Sequence, residues 1–132
     1  MIPRIALCAA IALAAAVPAL ALADRTERVR FARGATSAEL RGEVRGYDFV
    51  DYLVGARAGQ RLSLSLARTS GHAFFLVRAP GSDDNLFDGS SAGDRFETVL
   101  PGTGDYRVRV LMMRAFARRN ERSAYRLRVA IR

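Results

Sequence analysis

Tyr125-Arg126-Leu127-Arg128-Val129-Ala130-Ile131 places an apolar or aromatic side chain at every odd position. Successive side chains of a strand point to opposite sides, so a period of two marks an extended chain with one buried and one wet face. Tyr106-Arg107-Val108-Arg109-Val110 repeats the pattern, as do Arg61-Leu62-Ser63-Leu64-Ser65-Leu66 and Glu27-Arg28-Val29-Arg30-Phe31. Between such runs stand Arg33-Gly34, Arg45-Gly46, Ala58-Gly59-Gln60, Pro80-Gly81 and Pro101-Gly102-Thr103-Gly104-Asp105. These supply the positive or fixed φ that a turn between strands requires. The spacing predicts eight strands, at 27–32, 36–44, 48–56, 61–67, 72–78, 95–100, 105–112 and 124–131. With no long helical period, the expectation is an all-β fold, a single antiparallel β-sandwich.

Strand parity predicts a core of Val29, Phe31, Leu40, Tyr52, Val54, Leu62, Leu64, Leu66, Phe75 and Val77, continued by Tyr106, Val108, Val110, Tyr125, Leu127, Val129 and Ile131. The same parity turns Arg107, Arg109, Arg126 and Arg128 outward as parts of a cationic, solvated face, and leaves Asp51 exposed opposite Tyr52. Two stretches break the pattern: an acidic loop at 80–94 and an Arg-dense connection at 113–123. Loops this long in so small a domain are functional or disordered.

The N-terminus reads as a secretory signal peptide over residues 1–23. Arg4 provides a short basic start, Ile5 to Ala23 are apolar except for Pro18, and Ala21-Leu22-Ala23 forms a small-x-small cleavage site before Asp24. An uncleaved membrane anchor is the competing reading of that run. Residues 24–132 remain as one domain, long enough to bury a core without staples. The only cysteine, Cys8, falls inside the leader, so a disulfide, a cysteine zinc site and a thiol nucleophile are excluded from the mature chain.

His72 is the only histidine, which excludes His-pair metal sites and makes a Ser-His-Asp triad rest on one residue. A surface or capping role is expected of it. Read as a calcium loop from Asp84, the acidic segment has Leu86 and Arg95 at two ligand positions and fails. No metal or cofactor is expected, and no carboxylate pair stands out for enzymatic work.

All 21 basic residues are arginine; without Arg4, 20 of them face 13 carboxylates. For an exported basic domain the partners are envelope polyanions or the acidic cleft of another protein, and nucleic acid is not expected. Arg114, Arg118, Arg119 and Arg122 fall within nine residues, and a helical turn there would put Arg114 and Arg118 on one face. Like charges that close cost stability, and arginine suits bidentate grip of carboxylates in a dry site. The residues alone favour a solvated Arg-rich loop, as charge runs generally do. Tyr47 and Asp48 follow Arg45-Gly46 at a turn tip, where Tyr47 is either a rigid contact surface or packed back over the sheet end.

Arg41-Gly42-Glu43-Val44-Arg45-Gly46-Tyr47-Asp48-Phe49-Val50-Asp51-Tyr52, continuing to Ala56-Arg57-Ala58-Gly59-Gln60, resembles the periplasmic inhibitors of g-type lysozyme. The run from Leu100-Pro101 through Gly104-Asp105-Tyr106-Arg107-Val108-Arg109-Val110, and on through Arg114, Ala117-Arg118 and Asn120 to Tyr125, carries the same resemblance. It extends from about Val29 to the C-terminus outside the 69–95 region. A broader likeness, in Ala58-Gly59-Gln60 and Gly104-Asp105-Tyr106-x-Val108-x-Val110, is to β-sandwich modules appended to secreted peptidases. That likeness speaks to fold.

The first resemblance implies an exported, non-enzymatic β-sandwich in the periplasm that plugs the cleft of a g-type lysozyme. The implied partner-binding residues are Tyr47, Arg114 and Arg118, with Asp48 and Arg119 as neighbours. Met113 and Phe116 stand where it implies more polar residues. No nucleic-acid partner and no stable membrane insertion of the mature chain are expected. The alternative is a module that binds anionic envelope glycan through its Arg loop.

Overall fold

The computed structural model describes residues 24–132, and the expected signal peptide lies outside the described residues. Nine strands and two one-turn helices follow in the order β1 (Arg25–Arg28), β2 (Ser37–Arg45), β3 (Val50–Ala56), β4 (Arg61–Arg68), β5 (Phe74–Arg78), β6 (Asn85–Asp88), α1 (Gly89–Ala92), β7 (Arg95–Val99), β8 (Gly104–Leu111), α2 (Arg114–Ala117) and β9 (Arg122–Ile131). They form a five-stranded sheet, β1-β3-β8-β5-β6, and a four-stranded sheet, β2-β9-β4-β7. The architecture is an all-β sandwich, as the alternation predicts.

The inward residues of both sheets make one core. Tyr52, Tyr106, Tyr125, Phe75, Leu62, Leu127 and Val108 are fully buried. Burying such side chains contributes roughly 1.5–3 kcal/mol each relative to exposure. The phenols need partners in that interior. The Tyr52 and Tyr125 hydroxyls bond each other across the two sheets at 2.7 Å, and Tyr106 Oη donates to Gly102 O at 2.6 Å, closing the turn before β8. Burial pushes both Tyr52 and Tyr125 above the usual phenol value, which keeps the pair neutral. Leu40, Phe31 and Ile131 lie only partly buried at the margin of this core.

Several expectations need correction. There are nine strands rather than eight, because the acidic segment is not a bare loop: β6 pairs with β5 and α1 follows it. Asp88 caps α1 by accepting from Ser90 N at 2.9 Å, and Asp94 takes a two-point contact from Arg68 at 2.7 and 2.8 Å. The first strand lies at Arg25–Arg28, ahead of the 27–32 alternation, and pairs in parallel with β3. Val29 N continues that ladder to Leu53 O at 2.9 Å, after which the chain leaves to enter the other sheet at β2. Every other strand pair is antiparallel.

Asp51 is buried at 3% exposure rather than exposed. The register sets it directly across from Arg109, which donates to it through Nε at 2.8 Å and Nη2 at 3.0 Å. The Arg109 guanidinium also lies 3.8 Å over the Phe49 ring. Arg109 is thus a partnered side chain and not part of a solvated face, while Arg107, 3.5 Å from the same carboxylate, stays half exposed. Alternation fixes which face a residue occupies; it does not reveal that a neighbour on the next strand covers it.

Candidate inhibitory surface

Three connections meet at one end of the sandwich: the β2–β3 turn at 46–49, the β8–β9 connection at 112–121 and the β4–β5 loop at 69–73. The pairing of β2 with β9 runs to Arg45 opposite Arg122, so the first two leave adjacent strands side by side. Gly46 N donates to Glu121 O at 2.8 Å. Gly46 has φ +60°, and a Cβ there would stand 2.9 Å from the Asn120 amide, so both the conformation and the close approach call for glycine. Asn120 is itself left-handed at φ 57°, a conformation asparagine tolerates. With its amide oxygen turned to Arg45, it accepts from Nη2 at 2.8 Å and Nε at 3.0 Å. These bonds hold the two connections together.

The β8–β9 connection carries α2. Ala117 is buried beneath it and Arg118 N bonds Arg114 O at 3.0 Å, so Arg114 and Arg118 stand one turn apart, as their spacing predicts. Both are exposed, and neither has a carboxylate or aromatic partner among the described residues. Arg119 differs. It lies 5.5 Å over the Phe116 ring and 4.0 Å from Glu121 Oε2, and so is drawn into the molecule's own contacts.

Tyr47 is 65% exposed, which decides between its two readings in favour of the projecting one. Asp48 is half-buried, and its N–H donates to Arg45 O at 3.1 Å to close the turn that presents Tyr47. Tyr47, Asp48, Arg114, Arg118 and Arg119 therefore share one end of the molecule.

Several contacts of this end are not legible in the sequence. The imidazole of His72 bonds Glu121 Oε1 through Nδ1 at 2.6 Å and stacks on Phe116 at 3.9 Å with the planes 7° apart. Phe116, apolar where a polar residue is implied, is the platform for both His72 and Arg119. Buried Ser123 donates to Ser70 O at 2.7 Å and accepts from Ala73 N at 3.0 Å, anchoring the β4–β5 loop to the start of β9. No spacing rule links residues about fifty positions apart, so nothing in the sequence marks the His72–Glu121 pair. Met113 projects at the entry to α2.

The chain resembles known proteins over most of its length. No protein-family model matches it. It is 31% identical over 113 residues, 83% of each chain, to the inhibitor of g-type lysozyme of Escherichia coli K12. Among solved structures it is similar to Aeromonas hydrophila PliG, a periplasmic lysozyme inhibitor of g-type lysozyme, with TM-score 0.76 and 36% identity over 83% of this chain and 98% of that one. The pre-peptidase C-terminal domain of a Bacillus anthracis collagenase, at 12% identity and TM-score 0.56 over 81% of this chain and 94% of that one, shares the fold alone. On the strength of the Escherichia coli relative and the shared sandwich, this chain belongs to the family of inhibitors of g-type lysozyme.

Proposed function

We propose that the chain is exported by cleavage of residues 1–23 and inhibits a g-type lysozyme in the periplasm by filling its substrate cleft with the Tyr47 turn and the Arg114–Arg118 face. The observation that carries this reading is the pair of exposed guanidiniums one helical turn apart, without carboxylate or aromatic partners among the described residues, beside a projecting tyrosine. A lysozyme keeps a carboxylic acid as proton donor in a cleft that binds peptidoglycan. A guanidinium placed against that carboxyl where water is excluded favours its ionised form and removes the proton the reaction needs. Occupying the cleft blocks substrate as well.

The way the loops are held supports the same reading. The Gly46–Glu121, Arg45–Asn120 and Ser123–Ser70 bonds fix their geometry before any partner arrives. Little ordering is then needed on binding, and low ordering cost is where tight inhibitors gain affinity. Tyr47 adds a rigid contact with few rotors. Arg119, held on Phe116, is a neighbour of the contact pair and not its equal.

The test is lysis of a peptidoglycan suspension by g-type and by c-type lysozyme with the exported protein added. Loss of the g-type activity alone, at near-equimolar protein, is expected. Unchanged lysis by both enzymes would overturn the reading.

A further inference from the structure

The outer face of the second sheet, away from the loop end, carries a feature the lysozyme reading does not use. A trough runs over β7, β4 and β9. Its centre is lined by Ser63, Ser65, Arg95, Glu97, Arg128 and Ala130. Arg128 also borders the hollow leading to Arg61 and Arg132 and the one leading to Glu39 and Arg126, so it sits at the middle of the trough. Serine hydroxyls and guanidiniums face it, and Leu64 and Phe96 beneath it pack inward against the core.

The charges of this face are not balanced within it. Glu97 is taken by Arg61 at 3.1 Å, and Glu43 by Arg122 at 2.7 Å. Arg95, Arg126, Arg128 and Arg132 have no carboxylate within 4 Å among the described residues. Arg128 stands across from Glu39 in the ladder without pairing to it, and Arg126 stands directly across from Arg41. Like charges opposite each other on neighbouring strands destabilise a sheet; Glu39 lies 3.9 Å from Arg41 and leaves Arg126 without a carboxylate of its own.

We propose that this trough binds an anionic polysaccharide, one bearing carboxylates along its length, and that it does so independently of the loop end. Guanidiniums in a row beside serine hydroxyls suit a chain with repeating negative charge and hydroxyl-rich rings. Among the described residues this face exposes no aromatic platform for unpaired bases. Val99 is the only large apolar side chain this sheet exposes among the described residues, which leaves nothing to enter a lipid surface. The choice of polysaccharide over other polyanions rests on the proposed export to the periplasm. Arg128 lies six residues along β9 from Arg122 beside the loops, about 20 Å at the rise of a strand, so a glycan on the trough leaves the loop end open to an enzyme.

The experiment measures retention of the exported protein, without lysozyme, on peptidoglycan sacculi, on immobilised lipopolysaccharide and on neutral chitin, at low and at high salt. Retention on sacculi, but not chitin, and its loss at high salt are expected, and retention on lipopolysaccharide alone would overturn the choice of a carboxylate-bearing chain. The double variant Arg126→Gln, Arg128→Gln should lose at least about tenfold in affinity (~1.4 kcal/mol) while inhibiting lysozyme normally. Arg118→Ala should be retained like the parent. Absence of retention, equal retention on chitin, tighter binding to a DNA duplex, or indifference to the double variant would overturn the proposal. Salt-sensitive retention with no lysozyme inhibition would sink the inhibitor reading and leave this one standing.

Discussion

Arg109 and the pair Arg114 and Arg118 are the same residue type in opposite circumstances. Arg109 is bidentate to buried Asp51 and lies over Phe49; Arg114 and Arg118 are exposed and lack such partners among the described residues. Hydrogen bonding to Asp51 raises the Arg109 pKa further, as expected of a guanidinium committed to one partner. An arginine that has found its carboxylate inside the chain holds strands together. One kept apart from every carboxylate on a rigid turn remains available to a carboxylate elsewhere. In so Arg-rich a chain, partner and burial separate the two classes where composition does not.

That contrast is sharpest in substitution. Arg114→Ala and Arg118→Ala should each weaken g-type lysozyme inhibition by at least about tenfold, or ~1.4 kcal/mol, with circular dichroism and melting unchanged; their combination should have the largest effect of the series. Asp51→Asn should do the reverse. It leaves the partly buried Arg109 with a neutral partner and should cost about 2 kcal/mol of stability in urea denaturation, with the inhibition constant of the folded protein unchanged.

Gly46→Ala tests whether the turn conformation matters to both properties. The left-handed φ and the approach to Asn120 should cost about 1 kcal/mol and weaken inhibition by misplacing Tyr47, without altering the Asp51–Arg109 pair. The smallest effect belongs to Arg28→Ala. Arg28 is bidentate to Asp105 at 2.9 and 2.7 Å, yet both side chains are about half exposed, so only a slight fall in melting is expected at neutral pH. Arg28 holds the Asp105 carboxyl below its usual value. Whatever the pair contributes is present above the ordinary carboxylate range and is lost as the pH falls through that lowered value, so an acid titration of melting checks the sign.

The alternation in β8 and β9 was enough to read the sandwich and most of its core, because one-sided burial imposes a period of two on any such strand. The Arg114–Arg118 spacing and the glycine before Tyr47 were likewise local signals, readable within a few residues. What is not legible locally shares a cause. Asp51 is buried by an arginine 58 positions away, and His72 is paired with a glutamate 49 positions away; each depends on a register that periodicity does not encode. The β6–α1 segment carries no period-two signal, and its pairing with β5 is short and irregular, shifting between Val77 and Arg78. The unequal standing of Arg119 beside Arg118 follows from the Phe116 ring, which only the fold brings into place.

The most direct test of the central claim, that unpartnered loop arginines meet the enzyme's carboxylates, is the dissociation constant of the protein with a g-type lysozyme and with the same enzyme carrying its catalytic carboxylic acid as the amide. The account predicts that this change weakens binding at least about tenfold, and that Arg114→Ala or Arg118→Ala loses much less affinity for the amide enzyme than for the parent, since the two changes remove one interaction. Equal affinity for the two enzymes, with fully additive losses for both arginine variants, would contradict it.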